Sequence, residues 1–213
     1  MNPLEKREIG KTGLKISRLG LGGSSLGGLY NASSESDAIE VISAFRELGL
    51  NHIDTAPSYG YGLSEKRIGK ALRNVPRDQF VLSTKIGELL VTDGTPPPTS
   101  IFKEVDGRSL VRDYSRDGVL KSLESSLSRL MVDHIDILYI HDAYRERADK
   151  AISEAFPALD ELRSSGVIKA IGVGMDDTAI LTRFARECDV DCFLTFSSYS
   201  FFNTTALDEL FPL

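Results

Sequence analysis

The feature that most constrains this chain is an alternation. From Ile16 onward, six short β-rich apolar runs, ISRLGLG, NHIDTA, QFVLSTKIG, HIDILYIHD, VIKAIGVG and CFLTFSS, are separated by longer segments of helical period. Strands that alternate with helices point to crossover units and a parallel sheet. Most of the runs are apolar almost throughout, as strands covered on both faces require.

The intervening segments carry helix signals. In SSESDAIEVISAFRELG, Ser34 caps with Asp37 three residues on, while Ala38, Val41, Ile42, Phe45 and Leu48 share a face and Gly49 ends the helix. The segment after Asp117 repeats the pattern with Val119, Leu120, Leu123, Leu127 and Leu130. The one before Gly166 does so with Ile152, Ala155, Leu159 and Leu162, and Pro157 inside it predicts a kink or a late start. Further helices are expected from about Ser64, Asp176 and Asn203. Two segments stand outside the alternation. REIGKTGLKIS, turning around Lys11, Thr12 and Gly13, reads as a hairpin before the first unit. Lys85 to Ser115, with Pro96, Pro97 and Pro98, has no clean period and reads as a long functional loop that shapes a pocket or covers it as a lid.

Parallel units in series make either an open doubly wound sheet, whose strand order reverses once, or a barrel, whose order never does. Polar residues at the C-terminal ends of several different strands favour a barrel, because there the strand ends converge on one mouth. The expected fold class is therefore α/β of the (β/α)8 TIM-barrel type. About six units and an N-terminal hairpin occupy residues 1–213 as a single domain. With 213 residues the chain can bury one sizeable core.

Composition narrows the function classes. A formal net charge of -6 with no Lys/Arg cluster argues against a nucleic-acid partner, which needs a basic stripe to displace counterions from phosphates. Only Cys188 and Cys192 occur, too few for a disulfide scaffold and without the ligand company of a zinc site, so no metal is expected. The N-terminus MNPLEKREIGKTG lacks an apolar signal core and no stretch approaches a membrane span. A cytoplasmic location with reduced thiols and no membrane partner is expected.

Four polar residues close or follow consecutive apolar runs: Asp54, Tyr59 just beyond it, Lys85 at the end of STK, and His141 at the end of ILYIH. Each alone has an ordinary reading: a turn former, a rim aromatic, an exposed strand end, a satisfied core histidine. Together they would meet at one face. A lysine at the end of a buried strand needs a partner, and Asp54 is the nearest. A buried cation beside a phenol is expected to lower the tyrosine pKa from its usual ~10. His52 and His134 precede strands at the opposite end and read as structural. GLGGSS, Gly20 to Ser25, nearly spells a dinucleotide fingerprint but does not open directly into a helix.

On these residues the sequence resembles the aldo-keto reductases. IDTAPSYGYGLSEKRIGKAL, with Asp54, Ala56, Tyr59, Gly60, Ser64, Glu65 and Gly69, is similar to that family's first motif, and STK and IHD supply its lysine and histidine. YSRDGVLKSLESSLSRL, AFPALDELRSSGVIKAIGVGM and TALDELFPL are most like the branch that holds the aldose 1-dehydrogenases, L-galactose dehydrogenase and pyridoxal 4-dehydrogenase. The resemblance implies bound NAD(P) and hydride exchange with the carbonyl or alcohol carbon of a sugar or related small molecule. It assigns proton transfer to Tyr59, tuning to Lys85, support of Lys85 to Asp54 and orientation of the substrate oxygen to His141. It places Gly22, Gly23, Asp54, Gly174 and Met175 beside the cofactor.

There are departures from the family pattern. Gly174 and Met175 stand where the family has Ser and Asn, and its glutamine is replaced within Thr195 to Ser197. The family barrel has eight units and the sequence shows six, which predicts open sheet edges and self-association through them. Two readings stay open at this level: an NAD(P)-dependent oxidoreductase of sugars or related carbonyl compounds, and a shortened, non-catalytic relative acting by partner or self association. A barrel enzyme using the same mouth with a different cofactor is a third.

Overall fold

The computed structural model describes residues 2–92, 100–104 and 107–213. Its centre is a six-stranded sheet built from β3 (Leu21–Gly22), β4 (His52–Asp54), β5 (Val81–Ile86), β8 (Ile137–His141), β9 (Ala170–Gly174) and β10 (Cys192–Leu194). All pairings in it are parallel. The strands lie in chain order with no reversal, and β3 and β10 are its edges among the described residues. That ordering is the barrel arrangement expected from the sequence.

Helices follow the strands in turn. α1 (Glu35–Glu47) carries the expected capping box, in which Ser34 Oγ accepts from Asp37 N–H and the Asp37 carboxylate accepts from Ser34 N–H. Ala38, Ile42 and Phe45 are buried against the sheet, whereas Val41 and Leu48 are exposed, so the apolar stripe is narrower than the sequence suggests. Gly49 then takes a φ of +79° and ends the helix. α2 (Leu63–Leu72) starts after a left-handed Gly62, and α3 (Arg116–Leu130) is capped by Ser115, which accepts from Gly118 N–H. α6 (Thr178–Glu187) is capped by Asp177.

Pro157 leaves a clear mark. α4 (Glu146–Lys150) passes into a π turn at Ala151–Ala155 before α5 (Phe156–Ser164) resumes with Pro157 in its first turn. Proline has no N–H to donate and its ring crowds the preceding turn, so the widened π turn absorbs the mismatch. The helix expected from Asn203 is replaced by one 3-10 turn, Thr205–Leu207.

Two antiparallel pairs complete the fold. β1 (Lys6–Glu8) and β2 (Lys15–Ser17) form the predicted N-terminal hairpin. β6 (Glu88–Val91) and β7 (Ser109–Arg112) pair inside the segment read as a long loop. The three prolines of that segment lie outside the described residues.

The sheet divides the interior in two. On the helix side lies the main core, with Ile42, Ile53, Ile68, Leu82, Leu138, Ile171 and Phe184 among its members. The inner face carries a smaller cluster, Val81, Ile137, Tyr139 and Ala170, closed by Leu14 and Ile16 of the hairpin. No helix among the described residues is long and apolar enough to cross a membrane.

Candidate active site

The inner face changes character along its length. Val81, Ser83 and Lys85 share one side of β5 because side chains alternate along a strand, and the register sets Asp54 beside Ser83. Lys85 is only 1% exposed. Its Nζ donates to Asp54 Oδ2 at 2.6 Å and to the Thr55 carbonyl at 2.7 Å. Asp54 Oδ1 accepts from the Ser83 hydroxyl at 2.7 Å. Burial works against the charge on Lys85, but Asp54 and Tyr59 more than offset it, so its pKa stands above the ordinary lysine value. The lysine is a cation at any physiological pH.

Tyr59 is delivered by a turn of unusual backbone. Gly60, Tyr61 and Gly62 take φ of +61°, +53° and +88° in succession. For Tyr61 the left-handed region costs about 1–2 kcal/mol. A Cβ on Gly60 would stand 2.2 Å from the Gly27 carbonyl oxygen, so two bare backbones pack directly and fix the turn. Tyr59 thereby swings back over the strand ends, with Lys85 Nζ 4.7 Å from its ring centroid. The ring of Phe102 lies 6.1 Å away, and that of His141 meets Tyr59 edge-on at 6.2 Å.

The phenol of Tyr59 has its pKa raised, chiefly by burial; Lys85 pulls it down by charge and hydrogen bonding, while Asp54 pushes it up. The expectation that the lysine sets the net direction is corrected here: desolvation exceeds the attraction. Tyr59 is thus a protonated phenol at neutral pH whose anion Lys85 is placed to stabilise.

His141 ends β8. Its backbone carbonyl accepts from the Tyr114 hydroxyl at 2.6 Å, and its buried Nδ1 lies 3.5 Å from Glu88 Oε2, longer than a good hydrogen bond. Burial would raise the Glu88 carboxyl, but the neighbouring His141, then Arg112 and Ser58, hold it below the usual carboxylate range.

Among the glycines, Gly23 N–H donates to the Asp54 carbonyl at 2.7 Å, and a Cβ there would meet that oxygen and Ser64 Oγ at 2.7 Å. Gly22 and Gly174 differ. An added Cβ would meet nothing within 4 Å at Gly22, and at Gly174 its nearest neighbours would be Leu194 at 3.7 Å and Lys85 Cε at 3.8 Å, ordinary contact distances. Met175 buries its side chain in the helix-side core, and its N–H donates to the Leu194 carbonyl. The strand ends therefore gather Asp54, Tyr59, Lys85, His141, Gly22 and Gly174, and turn the Met175 side chain away.

Several site neighbours went unseen in the sequence: Ser83, Glu88, Phe102 and Tyr114. Phe102 is held by a β-bridge to Leu29, and Glu104 two residues on pairs with the buried Arg67 at 3.1 Å. Of these, Ser83 alone left a signal, as a polar residue two before Lys85 on the same strand face.

The site is thus a buried lysine–aspartate pair beneath a tyrosine, at the C-terminal mouth of a sequential parallel sheet of the barrel type. Residues 18–213 match the model of the aldo/keto reductase family, and the chain belongs to that family. It is 40% identical over 205 residues to a D-threo-aldose 1-dehydrogenase of Pseudomonas sp, covering 94% of this chain and 62% of that one. To a pyridoxal 4-dehydrogenase of Microbacterium luteolum it is 38% identical, covering 98% of this chain and 66% of the relative. The glycerol dehydrogenase structure from Gluconobacter oxydans superimposes with a TM-score of 0.72 at 27% identity, over 96% of this chain and 58% of that one. The chain thus spans under two thirds of the length of these relatives.

Proposed function

We propose that this chain carries the acid–base centre of an NAD(P)-dependent oxidoreductase that moves a hydride between nicotinamide and the carbonyl or alcohol carbon of an aldose or related small carbonyl compound. The observation that carries the reading is the Lys85 ammonium, sealed from solvent, paired with Asp54 and set beneath the Tyr59 ring. An unpaired buried charge is costly, and a paired one beside a phenol has a chemical use.

In the reductive direction the Tyr59 phenol gives its proton to the carbonyl oxygen as the carbon accepts hydride. The phenolate left behind is stabilised by Lys85, which Asp54 and the Thr55 carbonyl hold in place. In the oxidative direction the same phenolate takes the alcohol proton. His141, edge-on to Tyr59, orients the substrate oxygen.

The residues present fit a flat ring at this mouth: bare Gly22 and Gly174 leave space beside Asp54 and Lys85 that a side chain would fill. Gly22, Gly23, Asp54, Gly174 and the Met175 backbone would hold the nicotinamide end. When bound, that group supplies or accepts the hydride. An aldose or small carbonyl substrate is supported by the names of the D-threo-aldose and pyridoxal dehydrogenases.

The test is the cofactor-dependent absorbance change with a panel of aldoses and aldehydes, run beside Tyr59→Phe. The reading expects wild-type turnover that the variant loses by ~100-fold or more, the contribution of a positioned proton donor. Equal rates in both proteins, or no turnover in either, contradict it.

A further inference from the structure

Below Asp54 the inner face carries two polar groups that the proposed chemistry does not use. Ser83 lies two residues before Lys85 on β5, and His52 two residues before Asp54 on β4, so all four side chains face the same interior. Ser83 is fully buried and its hydroxyl donates to Asp54 Oδ1 at 2.7 Å. The Ser83 Oγ also lies 3.1 Å from His52 Nε2.

Donor counting fixes the direction of this chain. A carboxylate only accepts, and a serine hydroxyl has one hydrogen to give. That hydrogen is committed to Asp54, so the Ser83 oxygen must accept from His52, whose proton therefore sits on Nε2. Burial, with the charge of Lys85 acting in the same sense, holds the His52 pKa below its ordinary value, while Asp54 and Asp136 oppose it. On the far side of the ring, a Cβ on Gly20 would come within 3.2 Å of His52 Nδ1, so a glycine there leaves the imidazole its room.

We propose that His52 and Ser83 are positioning residues: Nε2–H of a neutral His52 holds the Ser83 hydroxyl, which fixes the carboxylate plane of Asp54 and through it Lys85 beneath Tyr59. The torsion that rotates a carboxylate is soft and broad, so one ligand on each oxygen is what pins it. Here Lys85 holds one oxygen and Ser83 the other. Hydrogen bonds in series also polarise one another, by ~10–30% per bond. The histidine assigned a structural role at the opposite end of the sheet is thereby tied to the site. The catalytic consequence rests on the oxidoreductase reading, whereas the tautomer does not.

The deciding experiment is a long-range 1H–15N spectrum of the uniformly 15N-labelled chain at neutral pH. Three histidines are present, and the His52 ring is assigned through bonds from its own backbone signals in a sample that also carries 13C. The expected result is a neutral His52 protonated at Nε2 and bare at Nδ1, and a loss of that preference in Ser83→Ala. A His52 protonated at Nδ1, or doubly protonated, in the wild type overturns the proposal even if every variant fails to fold. For turnover, His52→Phe should lower kcat by on the order of tenfold with KM little changed, below the ~100-fold that an ångström of misplacement costs. His52→Gln, which restores an N–H donor, should recover most of it; equal loss in Phe and Gln variants counts against positioning. Absence of turnover in the wild type overturns the oxidoreductase reading, and the tautomer then decides this one alone.

Discussion

Lys85 Nζ donates to Asp54 Oδ2 at 2.6 Å across the β4–β5 pair, with the lysine enclosed and the carboxylate at the rim of the mouth. The pair is stable only as a pair. Removing one partner of a buried ion pair typically costs about 3–5 kcal/mol, because the other charge is left uncompensated. Asp54→Asn is therefore expected to lose that much in urea denaturation, whereas a loss under about 1 kcal/mol would mean that Lys85 finds another partner or sheds its proton.

A second enclosed pair sits between α2 and α3. Glu65 is fully buried; its Oε2 accepts from Arg129 Nε at 2.6 Å and its Oε1 from the Thr84 hydroxyl at 2.8 Å. Arg129→Met should destabilise by about 3 kcal/mol or more through the stranded carboxylate. The double variant Glu65→Leu/Arg129→Met should recover much of that loss, and strict additivity in chemical denaturation would argue against the pairing.

Asp136 gives the fold a pH dependence. Its Oδ2 accepts from Leu82 N–H at 2.9 Å and Arg77 at 2.6 Å, and its Oδ1 accepts from Lys169 at 2.9 Å, stitching β5 to the start of β8. Burial would raise this carboxyl, but those donors outweigh it and hold its pKa below the usual value. A carboxyl depressed in the folded state contributes stability above its unfolded value of ~3.9, and that stability is lost as pH falls through the folded value. The stability gap between wild type and Asp136→Asn should accordingly be flat near neutrality and shrink below about pH 4; a gap independent of pH down to acid unfolding contradicts this.

Gly69 marks a close helix–helix contact. A Cβ there would lie 2.5 Å from the Leu130 carbonyl oxygen, so α2 and α3 touch backbone to backbone. Helix propensity alone makes Gly69→Ala stabilising by ~1 kcal/mol. The contact reverses the sign, and a lowered melting temperature is expected. At Gly166, with φ of +77° and nothing within 4 Å of an added Cβ, Asn should be nearly neutral because it tolerates the left-handed region.

What could be read from the letters was local or strongly periodic. Ser34 with Asp37, Gly49 and the hairpin around Gly13 are short-range signals, and each is found where expected. Asp54, Lys85 and His141 stood out because a polar residue at the end of a buried run is expensive. The β6–β7 pair was missed because an antiparallel register across such a long excursion leaves no local period. His52 read as structural, and Ser83 drew no reading, until the strand register set them in line with Asp54. The Tyr59 phenol was misjudged because two opposing effects act on it, and only burial, invisible in a sequence, decides between them.

The coupling of Tyr59 to Lys85 is central to the site, and a 13C NMR titration of the Tyr59 Cζ, assigned with Tyr59→Phe, measures it directly. The phenol should titrate above the ordinary ~10 in the wild type and higher still in Lys85→Met, where burial remains and the opposing cation is gone. A wild-type value at or below ~10, or one that Lys85→Met leaves unmoved, would contradict it.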